Sequence, residues 1–263
     1  MRILITGVAS GIGRATADYF LNKGHTVYGI DRQPTDPREN FHSFVADITD
    51  ENSLLSVRQT LMDEGVILDA IINVAGIHKM ASLVECDCSS MKKLVDVNLC
   101  GAVFVNRIFH RCLKETGRIV IVTSEVAGMD PMPFNGLYSV TKTALETYAQ
   151  ALRQELNLLG QSVVTVRPGA VATPLCADSV TATANLADTT ALYQKHAKRF
   201  SSIAAKLMGK PIPPEALAKL LYKATTAKHP KYHYQKHRNP GLVLLNILPR
   251  RLQCAIIKWL LRI

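Results

Sequence analysis

Tyr138 and Lys142 stand four residues apart in Tyr-Ser-Val-Thr-Lys, within an apolar-periodic run (Leu145, Ala149, Leu152, Leu156, Leu159) that predicts a helix. On a helix that spacing puts the phenol and the ammonium on one face, close enough to interact. A free phenol has a pKa of about 10 and is a poor acid or base at neutral pH. A neighbouring cation stabilises phenolate and lowers that pKa, which suits the pair to exchanging a proton with an alcohol or a carbonyl. Tyr and Lys at this spacing are common on helix surfaces, so the pair gains meaning from the elements that must position it.

The first of those elements lies at the N-terminus. Arg2-Ile3-Leu4-Ile5-Thr6 reads as a buried strand, and Gly7-Val8-Ala9-Ser10-Gly11-Ile12-Gly13 follows it directly. Ile12, Ala15, Thr16, Tyr19 and Phe20 then recur at helical spacing up to Gly24. A strand, a glycine-rich turn and a helix in that order present backbone N–H groups and a helix N-terminus to an anion, here a pyrophosphate. The spacing is G-x-x-x-G-x-G, a variant of the dinucleotide fingerprint; a glycine-rich surface turn is the plainer alternative. A second strand, Thr26 to Ile30, ends in Asp31, placed to accept from the adenosine ribose hydroxyls and to repel a 2′-phosphate. Arg32 acts in the opposite sense, but no basic residue stands just before Gly11 to reinforce it. The cofactor expectation is therefore NAD, with NADP less favoured.

With both ends in view, the chain resembles the short-chain dehydrogenase/reductase family over residues 1–227. The glycine turn, with Ser10 and Ile12 in it, matches the family's T-G-x-x-x-G-I-G. Asp47, followed by Ile48, matches the acid beside the adenine ring. Asn73-Val74-Ala75-Gly76 looks like N-N-A-G with Val74 in place of the second Asn, and Asn98 matches the helix Asn that holds a relay water. Tyr138 and Lys142 match Y-x-x-x-K, while Pro168-Gly169, Val171 and Thr173 fall where the family contacts the nicotinamide end. The resemblance implies that Tyr138 takes the substrate proton, Lys142 lowers its pKa and binds ribose, and a Ser polarises the carbonyl. That Ser is usually thirteen residues before the Tyr, where this chain has Glu125; Ser124 is one residue earlier. A one-residue insertion after Ser124 makes Ser124 the polarising group with Glu125 turned aside. The opposite alignment would aim a carboxylate at the developing oxyanion and leave a cofactor-binding protein without turnover.

The 263 residues suit one α/β domain: a Rossmann-like, doubly wound parallel sheet of about seven strands with helices on both faces. Strands are expected at 118–122, 163–166 and near 231–234, with one third run at 44–46. Long helices are expected at 100–113 and 138–159; in the family their equivalents pack in homodimers or homotetramers. No linker or repeat appears, and the six Cys, Cys86-x-Cys88 among them, read as reduced thiols of a cytoplasmic protein, with no metal expected. The chain shows no signal-peptide pattern and no window of spanning length. Residues 185–210 read as the substrate lid, on a stripe of Leu192, His196, Arg199, Phe200, Ile203 and Leu207; a fixed surface helix is the alternative.

The net charge is +10, and residues 240–263 form a basic amphipathic segment in which Leu252, Ile256, Trp259, Leu260 and Ile263 recur at helical spacing. That stripe suits a peripheral contact with an anionic membrane surface, or else closure of a pocket or a subunit contact. No nucleic-acid recognition motif is visible. Two function classes remain: an NAD-dependent oxidoreductase of hydrophobic alcohols or carbonyls, retinoid-, steroid- or lipid-like, and a dinucleotide-sensing binding protein without turnover.

Overall fold

A computed structural model of the chain describes residues 1–207 and 209–262; Met208 and Ile263, and the side chain of Leu207, lie outside the described residues. Seven strands, β1 (Arg2–Thr6), β2 (Thr26–Asp31), β3 (Phe41–Val45), β4 (Leu68–Asn73), β5 (Leu113–Val122), β6 (Ser162–Pro168) and β7 (His233–Lys236), form one sheet in the order β3-β2-β1-β4-β5-β6-β7. Every pairing is parallel. The inner strands are buried on both faces, which is why they read as continuous Ile/Val/Leu runs without alternation.

Helices cover both faces. The helices α2 (Glu51–Asp63), α4 (Gly101–Phe109) and α5 (Gly136–Asn157) pack on one side, around Leu4, Ile71, Phe109 and Ile121. On the other side, α1 (Gly11–Leu21) and α8 (Pro214–Thr226) enclose Ile3, Ile5, Phe20, Val164 and Leu221. The remaining helices are α3 (Cys88–Val95), α6 (Pro174–Ala184), α7 (Gln194–Leu207), α9 (Pro240–Ile247) and α10 (Arg250–Leu261). A small separate core of Leu186, Ala187, Ala197 and Phe200 anchors α7, with Met80, Met132, Phe134 and Leu261 packed against it.

Several boundaries differ from the sequence expectation. Strand β5 begins at Leu113 because Leu113 pairs with Leu68 before the register shifts to Arg118 and Ala70. The helix expected at 100–113 is therefore shorter: α4 ends at Phe109, a 3₁₀ turn covers 110–112, and Cys100 closes a π-turn. Strand β3 starts earlier than expected, and β7 is displaced two residues toward the tail. The lid stripe is also shifted. Leu192 precedes α7 and is 68% exposed, while Ala197 and Phe200 face inward.

Candidate active site and cofactor cleft

Strand order reverses between β1 and β4, and a cleft of about 400 Å³ opens at their C-terminal ends. Gly7, Ser10, Gly11, Ile12, Gly13, Asp31, Arg32, Asp47, Ile48, Ala75 and Gly76 line it. The turn requires its glycines: Gly7 has φ +77°, and a Cβ on Gly13 would stand 1.9 Å from the Gly7 carbonyl oxygen. Ser10 is the N-cap of α1, yet its side chain makes no capping bond, which leaves the first N–H groups of the helix for an anion. The Asp31 carboxylate is fixed by accepting from the N–H of Ala9 and of Gln33, each at 3.0 Å. The Asp47 carboxylate accepts from the Thr49 N–H and hydroxyl; burial opposes its charge, but those bonds and Arg32 at 4.0 Å hold its pKa low. The residues present thus fit a dinucleotide, with pyrophosphate on the glycine turn and adenosine toward Asp31 and Asp47. Asn73 does not line the cleft. Its Nδ2 donates to Asn106 Oδ1 at 2.7 Å, so it braces the end of β4 from within the core.

The cleft continues past Ile12, Val74, Gly76 and Thr173 into a second cavity of about 410 Å³. Ser124, Tyr138 and Lys142 meet at its wall. Ser124 follows β5 and is buried; its hydroxyl accepts from the Val126 N–H at 3.4 Å and shares the cavity wall with the Tyr138 phenol, whose ionised form it favours. Burial pushes the Tyr138 pKa up to about 12. Burial also lowers Lys142 to about 8; its Nζ donates to the Val122 carbonyl at 3.4 Å and lies 5.8 Å from the centre of the Tyr138 ring. The expected depression of the phenol by Lys142 does not arise here: desolvation raises the Tyr138 pKa, only Ser124 pulls it down, and Tyr138 keeps its proton at neutral pH.

Asn98 sits in the π-turn at Asp96–Cys100, where the Gly101 N–H reaches back five residues to the Asp96 carbonyl. Such turns recur at functional sites. Its amide is fully engaged: Oδ1 accepts from the Ile77 N–H at 2.8 Å, and Nδ2 donates to the Ile77 carbonyl at 2.9 Å and to Thr141 Oγ1 at 3.2 Å. Asn98 thereby ties the segment after β4 to α5, one residue from Lys142. Pro168, Gly169, Val171 and Thr173 line the cavity opposite, and Thr173 caps α6 by accepting from the Cys176 N–H.

Sequence reasoning missed His78. Its ring stands edge-on to Tyr138 with centroids 4.6 Å apart, Nε2–H donates to Asn135 Oδ1 at 3.0 Å, and burial lowers its pKa. A His two residues beyond Gly76 was the available signal. The tail closes this pocket, the alternative its stripe left open: Leu242 and Leu260 form the far wall together with Ile257 and Leu261, which the expected stripe did not include. The tail's packing face is therefore turned from the expected stripe. Gln253 is buried while Leu252 and Trp259 are 46% and 70% exposed. Asp130 holds this segment by accepting from Arg250 Nε and Gln253 Nε2, each at 3.0 Å. The Glu125 carboxylate holds it too, accepting from the Asn239 N–H at 2.6 Å. Burial raises the Glu125 pKa, against the pull of that bond and of Arg238 and His237.

A profile described as short chain dehydrogenase matches residues 1–184. The chain belongs to the short-chain dehydrogenase family. That family supplies dinucleotide-dependent oxidoreductases, and the residues of the cleft fit such a cofactor. The chain is similar to the NADPH-dependent 3-dehydrocapnine reductase of Ornithobacterium rhinotracheale, 27% identical over 248 residues, 88% of this chain and 86% of that protein. It is 32% identical over 180 residues to the NADPH-dependent 1-acyldihydroxyacetone phosphate reductase of Schizosaccharomyces pombe, covering 66% of this chain and 60% of the relative. Among solved structures, a short chain dehydrogenase family protein from Francisella tularensis superposes with a TM-score of 0.73 at 26% identity, covering 86% of this chain and 91% of that one. Among the described residues, no group of three His, Cys, Asp or Glu side chains is placed to hold a metal, and no helix is long and apolar enough to cross a membrane.

Proposed function

We propose that this short-chain dehydrogenase interconverts a hydrophobic secondary or allylic primary alcohol and its ketone or aldehyde, with NAD(H) as the preferred cofactor. The observation that carries the reading is the meeting of Ser124, Tyr138 and Lys142 on one wall, where a largely apolar cavity joins the dinucleotide cleft. A bound nicotinamide supplies or accepts the hydride at the reacting carbon. In the reducing direction Tyr138, protonated at neutral pH, gives its proton to the carbonyl oxygen while the Ser124 hydroxyl donates to the same oxygen and stabilises its developing charge. Oxidation runs these transfers in reverse. Lys142 lies between Val122 and Gly76, within reach of a ribose entering the cleft, and Asn98 fixes the backbone beside it.

NAD is favoured because Asp31, held by two backbone donors, would face a 2′-phosphate with a fixed negative charge. Both named relatives are NADPH-dependent, so the choice is open to direct measurement. The apolar cavity wall from α7, α9 and α10 supports a retinoid-, steroid- or lipid-sized substrate. The names of the relatives, an acylated ketone phosphate reductase among them, agree with a lipid-like ketone. Residues 1–263 act as one unit, with 185–210 as lid. Exposed Val140, Leu158 and Leu159 on and beside α5 support a two-fold homo-oligomer, and the tail supports peripheral membrane contact by a cytoplasmic protein. A dinucleotide sensor without turnover would have no use for Ser124, Tyr138 and Lys142 gathered on one cavity wall.

The experiment follows nicotinamide absorbance with both cofactors across aliphatic, sterol and retinoid alcohols and carbonyls, with Tyr138→Phe as control. Cofactor binding without turnover of any of them would favour the sensor.

A further inference from the structure

The tail helices and α7 each have two faces. Their inner faces line the cavity through Leu242, Phe200, Ile203, Ile257 and Leu260. On the outside of α9, Leu244 and Ile247 are 67% and 75% exposed, and on α10 Leu252 and Trp259 share one stripe. Around α10 the order is buried face, exposed apolar stripe, then Arg251, Lys258 and Arg262. On α7, Lys195, Arg199 and Lys206 recur at helical spacing opposite the buried Ala197 and Phe200. The two helices are joined, since Arg199 Nη1 donates to the Arg262 carbonyl at 2.7 Å.

The charge is segregated in the same sense. From residue 189 onward the sequence has fifteen Lys and Arg and one acid, Glu215, whereas residues 1–188 hold sixteen Lys and Arg and twenty acids. An exposed apolar ridge flanked by basic stripes is complementary to an anionic lipid surface: apolar groups enter the acyl boundary and the cations meet the headgroups. A tryptophan on such a ridge is suited to the headgroup layer.

We propose that α7, α9 and α10 dock on an anionic lipid bilayer, so that the wall of the substrate cavity faces the membrane and a lipid-like substrate enters from it. The lipid-like substrate rests on the function proposed above; the docking itself does not. The helices that touch lipid on one side touch substrate on the other, so docking shortens the path of an amphiphile to Tyr138.

Trp259 is the only tryptophan, so intrinsic tryptophan emission reports this ridge alone. The test titrates the full chain with phosphatidylcholine vesicles with and without phosphatidylglycerol, reading emission and co-sedimentation. Expected are a blue shift and pelleting with the anionic vesicles, weakened by salt, and little of either with phosphatidylcholine alone. Arg251→Glu and Lys258→Glu should each lower vesicle affinity by at least about fivefold. Leu252→Ser should weaken pelleting while leaving turnover of a water-soluble ketone unchanged, and should raise KM for a long-chain ketone presented in vesicles. No shift with any vesicle overturns the proposal, as does an equal shift on a short duplex DNA or on self-association at high protein concentration. Turnover of the soluble ketone without vesicle binding would sink the docking and leave the enzymatic reading intact. Vesicle binding without turnover would do the reverse.

Discussion

Ser124 and Glu125 are neighbours in the chain, but their side chains serve different partners: the Ser124 hydroxyl shares the cavity wall with the Tyr138 phenol and favours its ionised form, and the Glu125 carboxylate accepts from the Asn239 N–H 114 residues away. One residue addresses the chemistry and the next holds the cavity wall.

Ser124→Ala should therefore lower kcat on the order of a hundredfold, the usual effect of removing a donor to a developing oxyanion. Glu125→Gln should leave kcat near the parent value and raise KM for bulky substrates, because a neutral acceptor holds Asn239 less firmly. Steady-state kinetics on a small and a bulky ketone check both. Loss of turnover in Glu125→Gln with retention in Ser124→Ala would exchange the two roles.

Tyr138 and Lys142 should leave opposite marks on stability without cofactor. The folded Lys142 pKa of about 8 is below its ordinary 10.5, so between those values the unfolded chain binds the extra proton and stability rises with pH. The folded Tyr138 pKa of about 12 is above its ordinary 10.0, so its contribution is complete below pH 10 and is lost as pH climbs toward 12. Urea unfolding across this range should show a rise and then a fall. Lys142→Met should flatten the rise and Tyr138→Phe its share of the fall; an unchanged slope in Lys142→Met would contradict a buried ammonium. Tyr138→Phe should also abolish turnover while keeping cofactor affinity.

Much of this was legible because it is local. The glycine turn, Asp31 and the Tyr138–Lys142 spacing are each set by one strand–turn–helix unit or one helix face, and such periodicities survive in sequence. The π-turn around Asn98 was not legible, since a hydrogen bond that slips by one residue changes no composition. Nor was the inward face of the tail: Leu252 and Ile257 are equally apolar, and only packing against the cavity decides which is covered. The start of β5 was hidden because Lys114, Glu115 and Gly117 interrupt its apolar run where it pairs at the edge of the register shift.

NAD should bind at least about tenfold tighter than NADP, and Asp31→Ala should narrow the gap. Fluorescence titration with each cofactor measures it. Equal affinities for the parent protein would show Arg32 prevailing over Asp31.

Gly13→Ala should abolish cofactor binding and lower Tm, since the added carbon would overlap the Gly7 carbonyl at 1.9 Å and neither backbone segment has room to retreat. Gly24→Ala, at a position with open space but φ +75°, should cost stability through backbone strain alone and leave cofactor affinity unchanged. Thermal unfolding with and without dinucleotide separates the two.

The π-turn at Asp96–Cys100 also bears on which insertions and deletions this chain tolerates. Removing one residue there would convert the segment into uninterrupted α-helix, with regular bonding throughout. It would also rotate everything before the deletion by about 100° relative to α4. If Asn98 turned with it, Ile77 would lose both backbone partners in that amide. The shorter helix would be the more regular one and the enzyme the poorer, so the irregularity is a spacer whose length is fixed by the site it serves.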